Sequence, residues 1–179
     1  FEEKTGEIIA MLEDGQLDAG LLALPVESDR LEQIVLFEEP FLMAMPKPHA
    51  LTRKKEININ DLIGEDVLLL EDGHCLRDQA LEVCALAGLR DQVNFNATSL
   101  ETLRQMVAAE VGVTLLPSLA AAPPIAATNN VVLRPFKAPA PFRTIALFWR
   151  KTSPLGPLMT DLATCFDNLP QPLRCIKKS

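Results

Sequence analysis

Apolar positions along this chain fall in short runs that alternate with stretches of helical period. Residues 5–13 place Ile8, Ile9 and Leu12 on one face, which predicts a helix ended by Gly15; residues 17–24 read as a buried strand. Two extended runs, 33–37 and 41–45, are separated by Glu38, Glu39 and Pro40, and a polar, proline-bearing loop covers 46–56. A short helix is expected over 60–63 and a short buried strand over 67–70. A helix then opens near Cys75 and runs to about Ala87, stopped by Gly88. After a strand at 93–95, Thr98 and Glu101 form a capping-box pattern that opens a helix with Leu100, Leu103, Met106 and Val107 as its apolar stripe. Strands follow at 113–116, 131–133 and 144–149, with a connection carrying two prolines across 120–127. Ser153 and Pro154 suit the N-cap and first turn of a last helix reaching about Asp167. This alternation predicts an α/β fold with mostly parallel strands. The extended stretch 33–45 and the strand at 144–149 are candidate crossings between two lobes.

With 179 residues, 48% of them hydrophobic and 23% charged, the chain can bury a core as one domain or as two small lobes, and disorder is excluded as its main state. Apolar runs such as 67–70 fall far short of the roughly 20 residues a membrane span needs. The opening residues Phe1, Glu2, Glu3 and Lys4 lack the pattern of a signal peptide. A chain that begins with Phe is expected to be part of a larger protein. Seventeen basic against 24 acidic residues give a net charge of −7, a poor surface for nucleic acid. The basic stretch Arg53, Lys54, Lys55 reads as a solvated loop, and acidic pairs such as Glu38 and Glu39 read as surface. Four cysteines without a Cys-x-x-Cys pair, and only two histidines, offer neither a disulfide scaffold nor a zinc set. The expectation is a cytoplasmic protein with no metal and no cofactor, in which any cysteine chemistry is redox chemistry.

The most informative segment is 70–79, LEDGHCLRDQ. A strand ends, Gly73 allows a turn, and Cys75 falls in the first turn of a helix. Unpaired amide donors and the helix dipole favour a thiolate there, and His74 or Arg77 can add positive charge. The same residue also reads as a small buried hydrophobe at a helix start. Cys84 changes the weighing. Nine residues of helix rise about 13.5 Å and turn about 900°, so the two side chains face opposite ways, whereas a disulfide needs Cα atoms within roughly 7 Å. If these two cysteines bond, the helix between them must melt or refold, which is the physical recipe for a switch. Cys84 otherwise reads as core packing beside Val83 and Leu86.

The run GHCLRDQAL, with a second cysteine at Cys84, resembles the redox-active segment of the OxyR family, the hydrogen peroxide sensors among the LysR-type transcriptional regulators. The resemblance continues in ATSLETLRQMVAAEVGVTLLP (97–117) and in Arg143-Thr144-Ile145. MPKPHALTRKKEININDLIGE (45–65) and Leu17-Asp18-Ala19-Gly20 resemble LysR-type effector domains generally. The cysteine segment is highly specific; the rest points only to the wider family.

The resemblance implies a regulatory domain of two Rossmann-like lobes, like a periplasmic binding protein. Residues 1–37 plus 144–179 would form lobe I, incomplete at its N-terminus, and 38–143 lobe II with the redox cysteines. It implies that Cys75 is the peroxidatic cysteine, oxidised to a sulfenic acid, and Cys84 the resolving cysteine of an intramolecular disulfide. Thr5, Gly73, His74 and Arg143 match residues lining the peroxide pocket, and Asp78 matches a polar residue of the activation network. Each has a plainer reading: Thr5 as a helix cap, Asp78 as a partner of the helix dipole, Arg143 as a surface or ion-pair residue. The implied partners are hydrogen peroxide, a second copy of the domain in a homodimer, a tetramer of the full protein, RNA polymerase and a glutaredoxin-type reductant. DNA binding would come only from an N-terminal winged helix-turn-helix absent from these residues. The family's first effector-domain strand and helix, which supply another pocket hydroxyl, are absent as well. Glu110 stands where the family often has glycine, which reads as a surface variation. The protein would be a sensor oxidised once per event, not an enzyme. The competing readings are a LysR-type effector domain that binds a small metabolite between its lobes, and a thiol peroxidase.

Overall fold

The computed structural model describes residues 3–89, 95–122, 128–167 and 174–175. In chain order these form α1 (Thr5–Glu13), β1 (Gly20–Ala23), β2 (Leu31–Pro46), β3 (Leu68–Leu70), α2 (Cys75–Leu86), β4 (Phe95–Ala97), α3 (Leu100–Ala108), β5 (Thr114–Pro117), β6 (Val131–Pro135), β7 (Phe142–Arg150), α4 (Gly156–Thr164) and β8 (Arg174–Cys175), with short 3-10 turns at Ala50–Arg53, Ile59–Leu62 and Ser118–Ala121. The chain divides into two compact units, one made of 1–39 and 142–179, the other of Pro40–Pro141.

In the first unit β7 carries the core. All five residues from Ile145 to Trp149 are buried, and the pleat sends them alternately to two faces. Ile145, Leu147 and Trp149 pack with Met159 and Ala163 of α4, while Ala146 and Phe148 pack with Leu12 of α1 and Leu22 of β1. A sheet ordered β1–β7–β2 thus lies between two helices. Arg150 closes the C-terminal end of α1 by donating through Nη1 to the carbonyls of Leu12 (2.8 Å) and Leu17 (3.1 Å).

In the second unit β3 and β4 pair in parallel, and a parallel bridge from Val67 to Val113 joins β3 to the entry of β5. The end of β2 runs antiparallel between β5 and β6. Helices α2 and α3 bury Leu76, Ala80, Val83, Cys84, Leu103 and Val107 in the same core as Leu68, Leu69 and Leu70.

The expectation of mostly parallel strands is corrected. The ladders β1–β7, β2–β5, β2–β6 and β2–β8 all run antiparallel. Strands covered by helices on both faces read as continuous apolar runs in either direction, so burial alone does not reveal polarity. The two runs expected either side of Pro40 are one strand of 16 residues; an extended chain accommodates proline's fixed φ, and proline lacks only the donor. The N-cap of α3 is Ser99, whose hydroxyl accepts from the Thr102 amide at 3.1 Å, not Thr98. The last helix starts at Gly156, with Leu155 as N-cap, after Ser153 has accepted the Leu155 amide in a preceding turn. Residues 93–94 of the expected strand and 123–127 of the expected connection lie outside the described residues.

Glu110 is more than a surface variation. It follows α3 with φ 64, while its own amide bonds the Val107 carbonyl (3.0 Å) and the Val111 amide that of Met106 (3.1 Å), the pattern of a left-handed helix terminator. A side chain is strained there, so Glu110→Gly is expected to raise stability by about 1 kcal/mol in urea denaturation. Two residues on, a Cβ on Gly112 would stand 2.3 Å from the Asp66 carbonyl oxygen, which accepts the bridging Val113 amide at 2.9 Å. Gly112→Ala is expected to cost about 2–3 kcal/mol in the same assay by prising β3 from β5.

Candidate redox site

The site is built from the end of a strand inward. Leu68, Leu69 and Leu70 are all buried, so β3 is fixed before the chain emerges at Glu71. Gly73, at φ 90, takes the left-handed turn, and extended His74 is the N-cap of α2, its ring capping none of the first-turn amides. Cys75 is therefore the first residue of α2, half-buried, at the end where backbone donors and the helix dipole gather.

Arg77 braces this turn. Its Nη1 donates to the Leu70 carbonyl at 2.8 Å and its Nε pairs with Asp72 Oδ1 at 2.8 Å, so one guanidinium ties the last residue of β3 to the loop it feeds. The positive charge expected of Arg77 is thus shared with Asp72. Asp78 is exposed in the first turn, in a position that complements the dipole.

Cys84 lies on the same uninterrupted helix, fully buried, and both thiols are free. Burial pushes the Cys84 thiol up to about 11, because a thiolate there would forfeit its hydration. Cys84 therefore stays protonated and unreactive at neutral pH while α2 is packed. Its core neighbour is Val83; Leu86, expected beside it, is 72% exposed, since two further residues carry it round to the outer face.

The structure brings Gly73, His74, Cys75 and Asp78 together on one turn, and holds Cys84 away on the helix they open. Thr5 and Arg143 belong to the other unit. Thr5 is the first residue of α1, half-buried, and the N-cap is Lys4, so Thr5 is not the cap. Arg143 donates from Nε (2.8 Å) and pairs through Nη2 (2.7 Å) with the same oxygen of Glu39, which is fully buried. The surface reading of Glu39 is corrected. Its signal was the alternation Phe37, Glu39, Phe41, Met43, all on the buried parity of β2. Cys165 is exposed at the end of α4, and Cys175 pairs with Phe37 across the β2–β8 ladder. Among the described residues no cluster of three His, Cys, Asp or Glu side chains could hold a metal ion, and no helix is long and apolar enough to cross a membrane.

A group whose proton is held more tightly in the folded state contributes stability at low pH that fades as pH rises. For Cys84 the loss runs from about pH 9, where the unfolded thiol ionises, to about pH 11. Over those two decades stability is expected to fall by about 2–3 kcal/mol, and Cys84→Ala is expected to flatten the urea midpoint against pH in that window.

Comparison with known proteins bears on the fold and the family. The family model described as LysR substrate binding domain matches residues 1–169. The chain is 46% identical over 162 residues to the DNA-binding transcriptional dual regulator OxyR of Escherichia coli K12, covering 90% of this chain and 53% of that protein. It thus spans about half the length of the curated relatives it matches. A crystal structure of the reduced form of OxyR is similar at TM-score 0.80 and 44% identity, covering 93% of this chain and 77% of that one. A crystal structure of the oxidised form is similar at TM-score 0.77 and 46% identity, covering 92% and 77%. With a mixed helix-and-sheet fold of this kind and a family match over nearly its whole length, the chain belongs to the LysR substrate-binding domain family.

Proposed function

We propose that this chain is the redox-sensing regulatory domain of a hydrogen peroxide-responsive LysR-type transcription factor. The observation that carries this reading is the placement of two free cysteines on one helix: Cys75 at its half-exposed first turn, Cys84 sealed in the core. The similarity to reduced and oxidised OxyR supports it.

The Cys75 sulfur attacks one oxygen of hydrogen peroxide, the O–O bond breaks, and the departing hydroxide takes a proton and leaves as water. The product is a sulfenic acid. The Cys84 sulfur then attacks the Cys75 sulfur, the S–O bond breaks, and the hydroxyl leaves as water with the Cys84 proton. Because Cys84 is buried on the far side of about 13.5 Å of helix, this second step requires α2 to unwind. Gly73 and His74 border the peroxide site in this reading, the imidazole orienting peroxide and stabilising the leaving oxygen, while Asp78 joins the network that carries the change onward. The refolded segment alters a homodimer, and through it a tetramer of the whole cytoplasmic protein, its grip on DNA through an N-terminal domain, and its contact with RNA polymerase. Two electrons from a glutaredoxin-type reductant restore the thiols. Each chain is oxidised once per cycle, so the protein is a sensor and not a turnover enzyme.

Peptide mapping after one equivalent of peroxide is expected to find one Cys75–Cys84 disulfide per chain. Cys84→Ser should stop at a trappable Cys75 sulfenic acid, and Cys75→Ser should abolish the response. Oxidation of Cys165 or Cys175 with Cys75 untouched overturns the assignment, and sustained peroxide consumption makes the protein a peroxidase.

A further inference from the structure

Helix α2 turns one face into the core, and that face is Leu76, Gln79, Ala80, Val83 and Cys84. The spacing is that of an apolar helix stripe, and Gln79 is the one member that does not belong on it. It is only 7% exposed, and its Oε1 is buried with no hydrogen-bond donor from any described residue. Other buried polar side chains are matched: the Thr114 hydroxyl donates to the Leu68 carbonyl at 2.8 Å, and Glu39 holds Arg143. Ser118 Oγ is also unmatched, but it follows β5 and lies off the helix that joins the two cysteines. An amide oxygen taken from water and left without a donor raises the energy of the packed state, and it regains its partner as soon as the segment opens.

We propose that Gln79 is a built-in weak point of α2: its stranded amide lowers the cost of releasing the helix from the core and so sets how fast Cys84 reaches an oxidised Cys75. The inference rests on the peroxide-switch reading for its purpose, but not for its mechanics. Peroxide reduction at Cys75 takes place on the packed helix, so Gln79 leaves that step alone. It acts on the second step, in which the Cys75 S–O bond breaks, the new S–S bond forms and water departs, because only an opened α2 presents the Cys84 sulfur.

The test uses Gln79→Met, of similar length and apolar, with Gln79→Leu as a second variant. In a Cys75→Ser background without peroxide, alkylation of Cys84 by iodoacetamide, read by peptide mass, reports the opening of α2. Both variants are expected to raise the urea midpoint and to slow Cys84 labelling about tenfold. With Cys75 present, sulfenic acid formation in a Cys84→Ser background should stay within about twofold of the parent, and disulfide formation in the native-cysteine background should slow about tenfold. A lower urea midpoint, or Cys84 labelling unchanged or faster in both variants, overturns the proposal. Slower labelling in a protein whose parent forms no Cys75–Cys84 disulfide leaves the weak point standing and removes the peroxide switch.

Discussion

A continuous α-helix is a rigid spacer, and in this domain it separates the first and tenth residues of α2, Cys75 and Cys84. The helix can stand, or its two sulfurs can meet, but not both at once. The surrounding fold serves that exclusion. β3 is a short buried strand that anchors the start of α2, Arg77 ties strand end to loop, and the core behind α2 keeps Cys84 protonated and out of reach. In the proposed function, chemistry at the half-exposed end of the helix becomes competition for its buried end. Such bistability is what a packed element offers in place of gradual deformation.

In the proposed function the same arrangement separates reactivity from resolution. Cys75 is half-buried and sits at the helix terminus, where the backbone amides have no partner within the helix. At Cys84 the protein withdraws water and charge, so the thiol ionises only near pH 11. Two cysteines nine residues apart therefore begin with unlike chemistry, and only a change of backbone makes them partners. The buried pair of Glu39 and Arg143 belongs to the other unit and follows different physics: a carboxylate with no exposure is held by the guanidinium of Arg143.

Much of this was legible in the residues. The helix periods at 5–13 and 75–86, the turn at Gly73 and the end-of-helix placement of Cys75 follow from local pattern and turn chemistry. Strand direction did not, because burial on both faces erases the alternation that separates one-sided antiparallel strands from buried parallel ones. Glu39 was missed because its charge outweighed its parity between Phe37 and Phe41, and Leu86 because a two-residue step past Cys84 moves a side chain to the opposite face. Gln79 falls on the apolar stripe of α2 in the sequence too, yet only the packed structure reveals that no donor from a described residue meets its carbonyl.

Joining the two sulfurs and keeping the helix are mutually exclusive. Amide hydrogen exchange across Cys75–Leu86, taken before and after one equivalent of peroxide with the disulfide quantified in the same sample, measures both at once. Amides between the cysteines are expected to be protected in the thiol form and to lose that protection in proportion to the bridge formed. A fully bridged protein whose amides in this segment remain as protected as before contradicts that exclusion.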